Sequence, residues 1–305
     1  MAPAAEQRSF AWLAASEKER LAVADLEKSI AAGGLAAGSA QGLDTFGEKF
    51  GSRDRCLLAY LRAGDVRLDT RRALARLQST LDFRRDASLD TLTDLPTQLS
   101  SHPLGKVWPM SFPFTAPDGC PVQYARAGAV KPIQLTKADD GEAGLRRYLV
   151  LWLARALELQ AQVERTRHCR GTYDVYDCAG VTWDQVDVSS LRALSRCIAL
   201  GQQHFPENLY HCFVINAPRW ASFVWGAIKP VLHERTKAKI TISSGVPDAL
   251  SRALGGDEAV QVMLRSVPPT LPVEESGPAA APPRPPDTVP ASLSVSVPAA
   301  APVAA

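Results

Sequence analysis

The feature that most constrains the fold is a regular alternation of short extended segments with long helical ones after Ser101. Segments rich in β-branched and aromatic residues are predicted to be strands at 121–127, 171–177, 212–218 and 239–245. Runs with helical character separate them at 142–165, 188–204 and 220–232. Strands joined by long helices form βαβ units. The sequence therefore predicts an α/β domain over residues 101–277, with a largely parallel sheet flanked by helices.

A small all-helical module is predicted before this domain, over residues 43–100. Leucines recur at spacings of three and four residues between positions 53 and 85, which is the repeat of amphipathic helices. The segment 63–69 interrupts the repeat, and Asp69 or Thr70 is placed to cap the second helix.

Two segments nearer the ends of the chain differ in composition from the folded part. Residues 31–42 are mostly Ala and Gly, so residues 1–42 are predicted to be an N-terminal helix followed by a linker. Residues 278–305 are mainly Pro, Ala, Val and Ser, with no period that could bury one face. Such a segment cannot offset the entropy lost on ordering, and we expect a disordered tail.

Charge and apolarity limit the environments that the chain can occupy. The net charge of +2 provides no global field for nucleic acid, so no nucleic-acid partner is expected. The longest apolar stretch, 148–159, is too short to span a bilayer and contains Arg155. The N-terminal stretch lacks the pattern of a signal peptide, and none of the cysteines forms a C-x-x-C pair. We expect a cytoplasmic protein with free thiols that meets membranes peripherally and transiently.

Motifs of enzymes and metal sites do not emerge from the sequence. There is no phosphate-binding loop, G-x-S-x-G elbow or H-E-x-x-H motif. Asp174 and Asp177 are three residues apart on a predicted strand, so they face opposite sides and make a poor acid–base pair. Two His-Cys pairs are adjacent in the sequence, at His168–Cys169 and His211–Cys212. Adjacent strand residues also point apart, and we predict neither an enzyme nor a metal site.

The most unusual segment is a helix predicted over 220–232, with Pro218 in its first turn and Pro230 near its end. Large apolar residues occupy almost every face of it: Trp220, Phe223, Val224, Trp225, Ile228 and Val231. Such a helix is either buried on all sides or contacts something other than water.

Basic residues follow this helix and leave two interpretations open. They are Lys229, Arg235, Lys237 and Lys239, with Glu234 as the one acidic residue among them. Apolar aromatics beside a basic cluster suit a membrane interface with anionic headgroups. An ordinary core helix with a positive C-terminal end is equally compatible, because the helix dipole favours that charge.

A resemblance to a known family bears on this choice. Residues 204–245 read HFPENLYHCFVINAPRWASFVWGAIKPVLHERTKAKITISSG. This stretch resembles the signature of the CRAL-TRIO domain, and especially that of the phosphatidylinositol/phosphatidylcholine transfer proteins of the yeast secretory-pathway type. PEN, INAP, KPVL and TKAKI stand in the family's order and spacing. Further stretches agree: CLLAYLRAGDVRLDTRRALARLQSTLDFRRD, DGCPVQYARAGAV, YDVYDCAGVTW and LPVEESG. The likeness covers about residues 50–277.

The resemblance implies a CRAL-TRIO-like domain that encloses one lipid, with its acyl chains in an apolar pocket beneath a gate helix. Segment 220–232 would be that gate. Exposing acyl chains to water costs about 0.8 kcal/mol per CH₂, so transfer needs a closed pocket. A gate that is apolar on both sides can close over the chains and, when open, lie against a bilayer.

The resemblance also implies a headgroup site at Glu207, Thr236 and Lys239, which match family positions that contact an inositol phosphate. A lysine donates to phosphate as a point charge, and the threonine hydroxyl adds a hydrogen bond. Glu207 would orient Lys239 or accept from an inositol hydroxyl.

Two departures from the family keep the identity of the lipid open. Gly64 and Asp65 stand where phosphoinositide binders carry a basic pair, and Asp65 would repel a phosphate. Thr172 and Asp174 stand where the family holds choline lipids with Ser and Thr. Phosphatidylinositol or another phospholipid is the expected ligand, and an isoprenoid or sterol-like lipid is an alternative.

The leading hypothesis is a non-enzymatic lipid carrier that needs no cofactor other than its bound phospholipid. Its expected partners are that ligand, a transient membrane surface, and lipid kinases or proteins that bind the tail. An adaptor that keeps the fold and uses its Pro-rich tail is the alternative. A lipid hydrolase is the least favoured hypothesis, because the sequence contains no recognisable constellation of nucleophile and base.

Overall fold

The computed structural model describes residues 9–36, 39–129, 141–183 and 188–267. The tail predicted to be disordered and the LPVEESG motif lie outside these residues. The predicted arrangement of a helical module before an α/β domain is confirmed.

The helical module comprises α1 (Phe10–Leu13), α2 (Glu17–Ser29), α3 (Ser39–Lys49), α4 (Arg53–Arg62), α5 (Thr70–Asp86) and α6 (Leu95–Ser101). Asp69 caps α5 as predicted, since its carboxylate accepts from the Arg72 N–H at 2.9 Å. The predicted leucine repeat forms the module's core: Leu57, Leu58, Leu61, Leu77 and Leu81 are buried, and Leu74 packs against them.

The predicted linker is shorter than its composition indicated. A π-helical turn, Ile30–Gly34, continues α2, and α3 already begins at Ser39. Alanine is the strongest helix former, so the alanines in this segment extend the helix rather than end it. Gly33, at φ +84°, ends the helical run because a left-handed conformation costs glycine little.

The α/β domain contains a five-stranded sheet in the order β1-β2-β3-β4-β5. The strands are β1 (Met110–Thr115), β2 (Pro121–Arg126), β3 (Thr172–Asp177), β4 (Leu209–Ile215) and β5 (Ile240–Ile242). The helices are α7 (Gly141–Glu164), α8 (Val188–His204), α9 (Ala221–Ile228), α10 (Glu234–Lys237), α11 (Asp248–Leu254) and α12 (Asp257–Arg265). Strands β2 to β5 pair in parallel, which confirms the predicted parallel sheet.

The sequence did not predict β1, which pairs antiparallel with β2 at the edge of the sheet. Its sequence, MSFPFT, contains Pro113, which cannot donate to a ladder. The register shifts between Ser111 and Phe114, where Pro113 lies. An edge strand with an irregularity can accommodate such a proline.

The sheet presents one solidly packed face. Alternate residues of β2, β3 and β4 form a core with α11 and α12: Val122, Tyr124, Tyr173, Val175, Phe213 and Ile215. Strand side chains alternate between faces, so the remaining residues of these strands point the other way. That second face is turned toward α7, since Gln160 of α7 bonds to Thr172 of β3 at 2.7 Å.

A buried polar network joins the helical module to this sheet. The Glu164 carboxylate accepts from the backbone N–H groups of Ala11 at 2.5 Å and Cys169 at 2.7 Å. Arg55 lies 3.8 Å from that carboxylate and donates to Gln160 at 3.1 Å. Both charged side chains are buried, so the network depends on each member being satisfied.

Candidate functional site

The apolar helix α9 begins at Ala221, later than predicted. Pro218 is not in its first turn but three residues before it, in a turn closed by the Ala221 N–H and the Pro218 carbonyl at 2.8 Å. Trp220 is the N-cap residue, and a 3₁₀ turn, Lys229–Val231, continues the helix with Pro230 in its first turn.

No residue of α9 is fully buried, although the helix is apolar nearly throughout. The residues predicted to form the gate are all half-buried: Trp220, Phe223, Val224, Trp225, Ile228 and Val231. Trp183 packs edge-on against Trp220 and Phe223, with ring centroids 5.3 Å apart in each case. An ordinary core helix would bury at least one face completely, and α9 does not.

The second face of the sheet consists of two rows that run across its strands. One row is Gln123, Asp174, Cys212 and Ile240, and the next is Ala125, Tyr176, Val214 and Ile242. Asp174 and Tyr176 lie on the central strand β3, deep among protein atoms. Each nevertheless retains some solvent-accessible surface. A central strand between layers of helices is normally buried. Space therefore remains between this face and the helices that cover it.

A cleft of about 480 Å³ lies between the start of α9 and the edge strand β5. Trp225 contributes to it from α9, and Ile240 and Ile242 contribute from β5. Each of these two isoleucines is the last residue of one of the rows described above, so the cleft borders the second face of the sheet.

The predicted headgroup residues lie on neighbouring segments, but each has a different partner. The Lys239 ammonium donates to the Leu209 carbonyl at 2.5 Å, and burial lowers the pKa of Lys239. The Glu207 carboxylate is paired with Arg235 at 3.0 Å, not with Lys239. The Thr236 hydroxyl lies 3.4 Å from the Gln202 amide oxygen. The sequence placed Arg235 only in a general basic cluster, because nothing local marks it as the partner of Glu207.

The residues that replace the family's basic pair have structural partners. A Cβ at Gly64 would lie 3.3 Å from His233 Cβ, so little room exists for a larger side chain. Asp65 pairs with the buried guanidinium of Arg76, which also donates to the Gln203 carbonyl at 3.0 Å. The Asp65 charge, which was expected to repel a phosphate, is therefore offset by a paired cation, although the side chain stays half-exposed.

A polar cleft of about 1000 Å³ separates this part of the helical module from the segment after α9. Its basic lining residues are Arg62, Arg67, Arg72, Arg235 and Lys237, and its acidic ones are Glu19, Asp65 and Glu234. Arg62 bonds to Glu19 at 2.7 Å and thereby lowers the pKa of Glu19 to about 2. The cleft adjoins the predicted headgroup residues, but none of those three lines it.

Gln202, on α8, holds the end of the α9 segment and was not predicted. Its side-chain amide donates to the Val231 carbonyl at 3.0 Å and accepts from the His233 N–H at 3.0 Å. These groups flank Leu232, which is buried. A glutamine on a helix gives no sequence signal for such a role, because the same residue commonly faces solvent.

Replacing Gln202 with Leu is expected to accelerate amide hydrogen exchange in segment 229–237 by about tenfold. The change leaves the Val231 carbonyl and the His233 N–H without their partner. An unmade buried hydrogen bond costs about 1–3 kcal/mol, and the lower half of that range applies because these groups are partly buried. Hydrogen exchange followed by mass spectrometry measures this directly. Gln203→Leu is the matched control, and equal acceleration in both variants would show that Gln202 does not restrain the segment.

The described residues contain neither a cluster of metal-binding side chains nor a helix that could span a membrane. No three His, Cys, Asp or Glu side chains there are grouped closely enough to hold a metal ion. None of the helices in the described part of the chain combines the length and apolarity that crossing a bilayer requires.

The sequence and the fold are both similar to those of known proteins. A family model described as the CRAL/TRIO domain matches residues 110–257. Phosphatidylinositol/phosphatidylcholine transfer proteins SFH9 and SFH7 of Arabidopsis thaliana are each 24% identical to the chain, over 194 and 192 residues that make up 61% of it. These residues correspond to 32% and 34% of the two relatives, so the chain spans about a third of their length.

A solved structure shares the fold. The crystal structure of Sfh5 superposes with a TM-score of 0.55 at 18% identity, covering 84% of this chain and 94% of that one. In its helical module, its largely parallel sheet and its match to the family model over residues 110–257, this chain is similar to CRAL/TRIO domain proteins, among them the phosphatidylinositol/phosphatidylcholine transfer proteins.

Proposed function

We propose that the chain binds one membrane lipid, with its hydrocarbon part between the second face of the sheet and α9, and transfers or presents it between membranes. The observation that carries this proposal is the state of α9, which is apolar nearly throughout yet fully buried at none of its residues. A helix of this kind is stabilised by a contact that is neither water nor solid protein, and lipid chains beneath it or a bilayer above it supply one.

The space beside α9 also supports the proposal. Val214, Ile240 and Ile242 lie on the open face of the sheet, and each retains accessible surface. Acyl chains that covered them would remove apolar area from water at both surfaces, at about 25 cal/mol per Å². The Arabidopsis relatives are named as transfer proteins for phosphatidylinositol and phosphatidylcholine, and both of these lipids carry acyl chains. We further propose that the chain acts in the cytoplasm, at membrane surfaces and without catalysis.

Lys239, Thr236 and Glu207 are the proposed headgroup site, with phosphatidylinositol as the leading ligand. The Lys239 ammonium is largely desolvated and bonded only to a neutral carbonyl, while the nearby Glu207 is already paired with Arg235. An anionic phosphate would therefore gain a charge-assisted hydrogen bond from Lys239 that no described side chain now takes. Arg235, which lines the 1000 Å³ cleft, lies close enough to Lys239 to add to the local positive potential.

A lipid extract tests the proposal as a whole. The protein purified from a cytosolic expression host is expected to carry lipid at close to one molecule per chain, detected by mass spectrometry of an organic extract. It is also expected to remove labelled phosphatidylinositol from vesicles. A preparation that carries no lipid and extracts none would contradict the proposal.

Replacing Lys239 with Met is expected to lower phosphatidylinositol transfer roughly tenfold and phosphatidylcholine transfer much less. A hydrogen bond to a charged group contributes about 1.5–3 kcal/mol. In this proposal the phosphate of phosphatidylinositol receives it, whereas that of phosphatidylcholine, which the family holds at the positions of Thr172 and Asp174, does not. Initial rates of transfer between vesicles measure both lipids. Lys237→Met serves as the control, because Lys237 is paired with Glu234 at 2.6 Å. An equal loss for both lipids in the Lys239 variant would show that this lysine is structural.

A further inference from the structure

The second face of the sheet carries a carboxylic acid for which the described residues supply no partner. Asp174 lies in the middle of β3, beside Gln123 of β2 and Cys212 of β4. Its carboxyl makes neither a hydrogen bond nor an ion pair in the described structure, and protein surrounds it. Asp177, three residues on, faces the packed side of the sheet and is bonded to the Tyr124 hydroxyl at 2.9 Å. Two acids on one strand therefore have opposite surroundings.

The groups that face Asp174 do not neutralise it. Those close enough to interact electrostatically are Tyr176 on the same strand and Cys212 on β4, and Tyr176 is in turn near Cys197 of α8. All of these are neutral when protonated and negative when ionised, and among the residues that the structure describes none of those facing Asp174 is a cation. Burial alone raises the pKa of Asp174 to about 7. Burial, followed by the Asp174 charge, also raises the pKa of Tyr176.

An unpaired polar group inside a protein is costly, so its persistence next to open space needs an explanation. Asp174 and Tyr176 both retain accessible surface on the face that borders this space. A molecule there would meet a hydrogen-bond acceptor at Asp174 and a hydroxyl at Tyr176. A phosphate would be repelled by the ionised carboxylate, whereas a hydroxyl or an ammonium group would satisfy it.

We propose that Asp174, with Tyr176, binds the polar end of a second class of apolar ligand, one that donates hydrogen bonds, namely a long-chain alcohol or a long-chain primary amine. This inference rests on the proposed lipid cavity and deepens it, because it assigns a ligand class to the interior of the sheet. The Asp174 carboxyl lies on β3, whereas Thr236 lies in α10 and Lys239 directly precedes β5. The cavity thus offers an acceptor site for neutral or cationic amphiphiles, distinct from the basic site for phosphate.

Binding of four probes of equal chain length tests this assignment: an alkane, a primary alcohol, a primary amine and an alkyl phosphate. Displacement of a fluorescent fatty probe from the full-length chain measures the affinities. We expect the alcohol and the amine to bind about tenfold or more tightly than the alkane, since each gains a hydrogen bond to a buried acceptor. Asp174→Leu is expected to remove that difference and leave alkane binding intact.

Asp174→Asn separates the two donor classes. The amide oxygen still accepts from a hydroxyl, so alcohol binding is expected to stay within about threefold, but it cannot pair with an ammonium, so amine binding falls about tenfold. For the unaltered protein, amine affinity rises between pH 6 and pH 8, because the amine stays protonated while Asp174, with a pKa of about 7, ionises. Alcohol affinity lacks this rise.

The outcomes distinguish this inference from the function on which it rests. If the alkane and phospholipid bind but the alcohol and the amine gain nothing over the alkane, the assignment of Asp174 is wrong and the cavity stands. If none of the probes and no phospholipid binds, both are wrong. The Asp174→Leu variant is expected to fold, because the change removes an unpaired polar group from the interior. Its melting temperature is expected to equal or exceed that of the unaltered protein.

Discussion

Replacing Glu164 with Leu is expected to lower the free energy of unfolding by about 3–5 kcal/mol, which is the usual cost of removing one partner from a buried ion pair. Glu164 is 5% exposed and Arg55 is 7% exposed, so the guanidinium would remain buried without its counter-charge. The backbone N–H groups of Ala11 and Cys169 would also lose their acceptor. Urea denaturation followed by circular dichroism measures the change.

Two further variants locate the origin of this loss. Glu158→Leu removes a carboxylate from the same helix, but Glu158 is paired with Arg155 at the surface, and a loss below about 1 kcal/mol is expected. Arg55→Met combined with Glu164→Leu removes both charges, so part of the loss is expected to be recovered. A Glu164→Leu variant as stable as the Glu158→Leu variant would show that the network does not hold the module to the sheet.

The strands and helices were largely predictable because their signals are local. The alternation of extended and helical segments gave the parallel strands, and Asp69 was recognisable as a cap from its position before a leucine repeat. The errors arose where context decides the conformation. Pro113 is compatible with a strand only because β1 is an edge strand, and Pro218 precedes α9 in a turn rather than starting it.

The candidate site was less predictable, because its contacts join residues that are distant in the chain. The sequence could place Asp174 and Asp177 on opposite faces, since strand side chains alternate. It could not show that Asp177 would accept from the Tyr124 hydroxyl while Asp174 would have no partner among the described residues. Likewise, the pairing of Glu207 with Arg235 and the bonds of Gln202 depend on how α8 packs against the segment after α9.

Replacing Val224 with Asp is expected to reduce lipid transfer roughly 10- to 100-fold while leaving the fold intact. Val224 lies in the middle of α9 and is half-buried. Whether it faces lipid chains or a bilayer, a carboxylate there loses about 1.5 kcal/mol of apolar burial and adds the cost of desolvating a charge. Each 1.4 kcal/mol corresponds to a factor of ten in an equilibrium constant, which sets the expected range. Transfer between vesicles and thermal unfolding are the two measurements.

Val262→Asp is the matched control, since it makes the same chemical change at a residue that is 51% exposed. Val262 belongs to α12, the helix that packs on the opposite side of the sheet. It is expected to leave both transfer and melting temperature nearly unchanged. If α9 is a cover over hydrocarbon, Val224→Asp impairs transfer with little loss of stability, because no solid protein beneath the helix is disrupted. If α9 instead packs on protein, the same variant unfolds several degrees lower and transfers lipid normally once corrected for the folded fraction. That second pattern would remove the basis for the transfer function, because α9 would then be an ordinary structural helix.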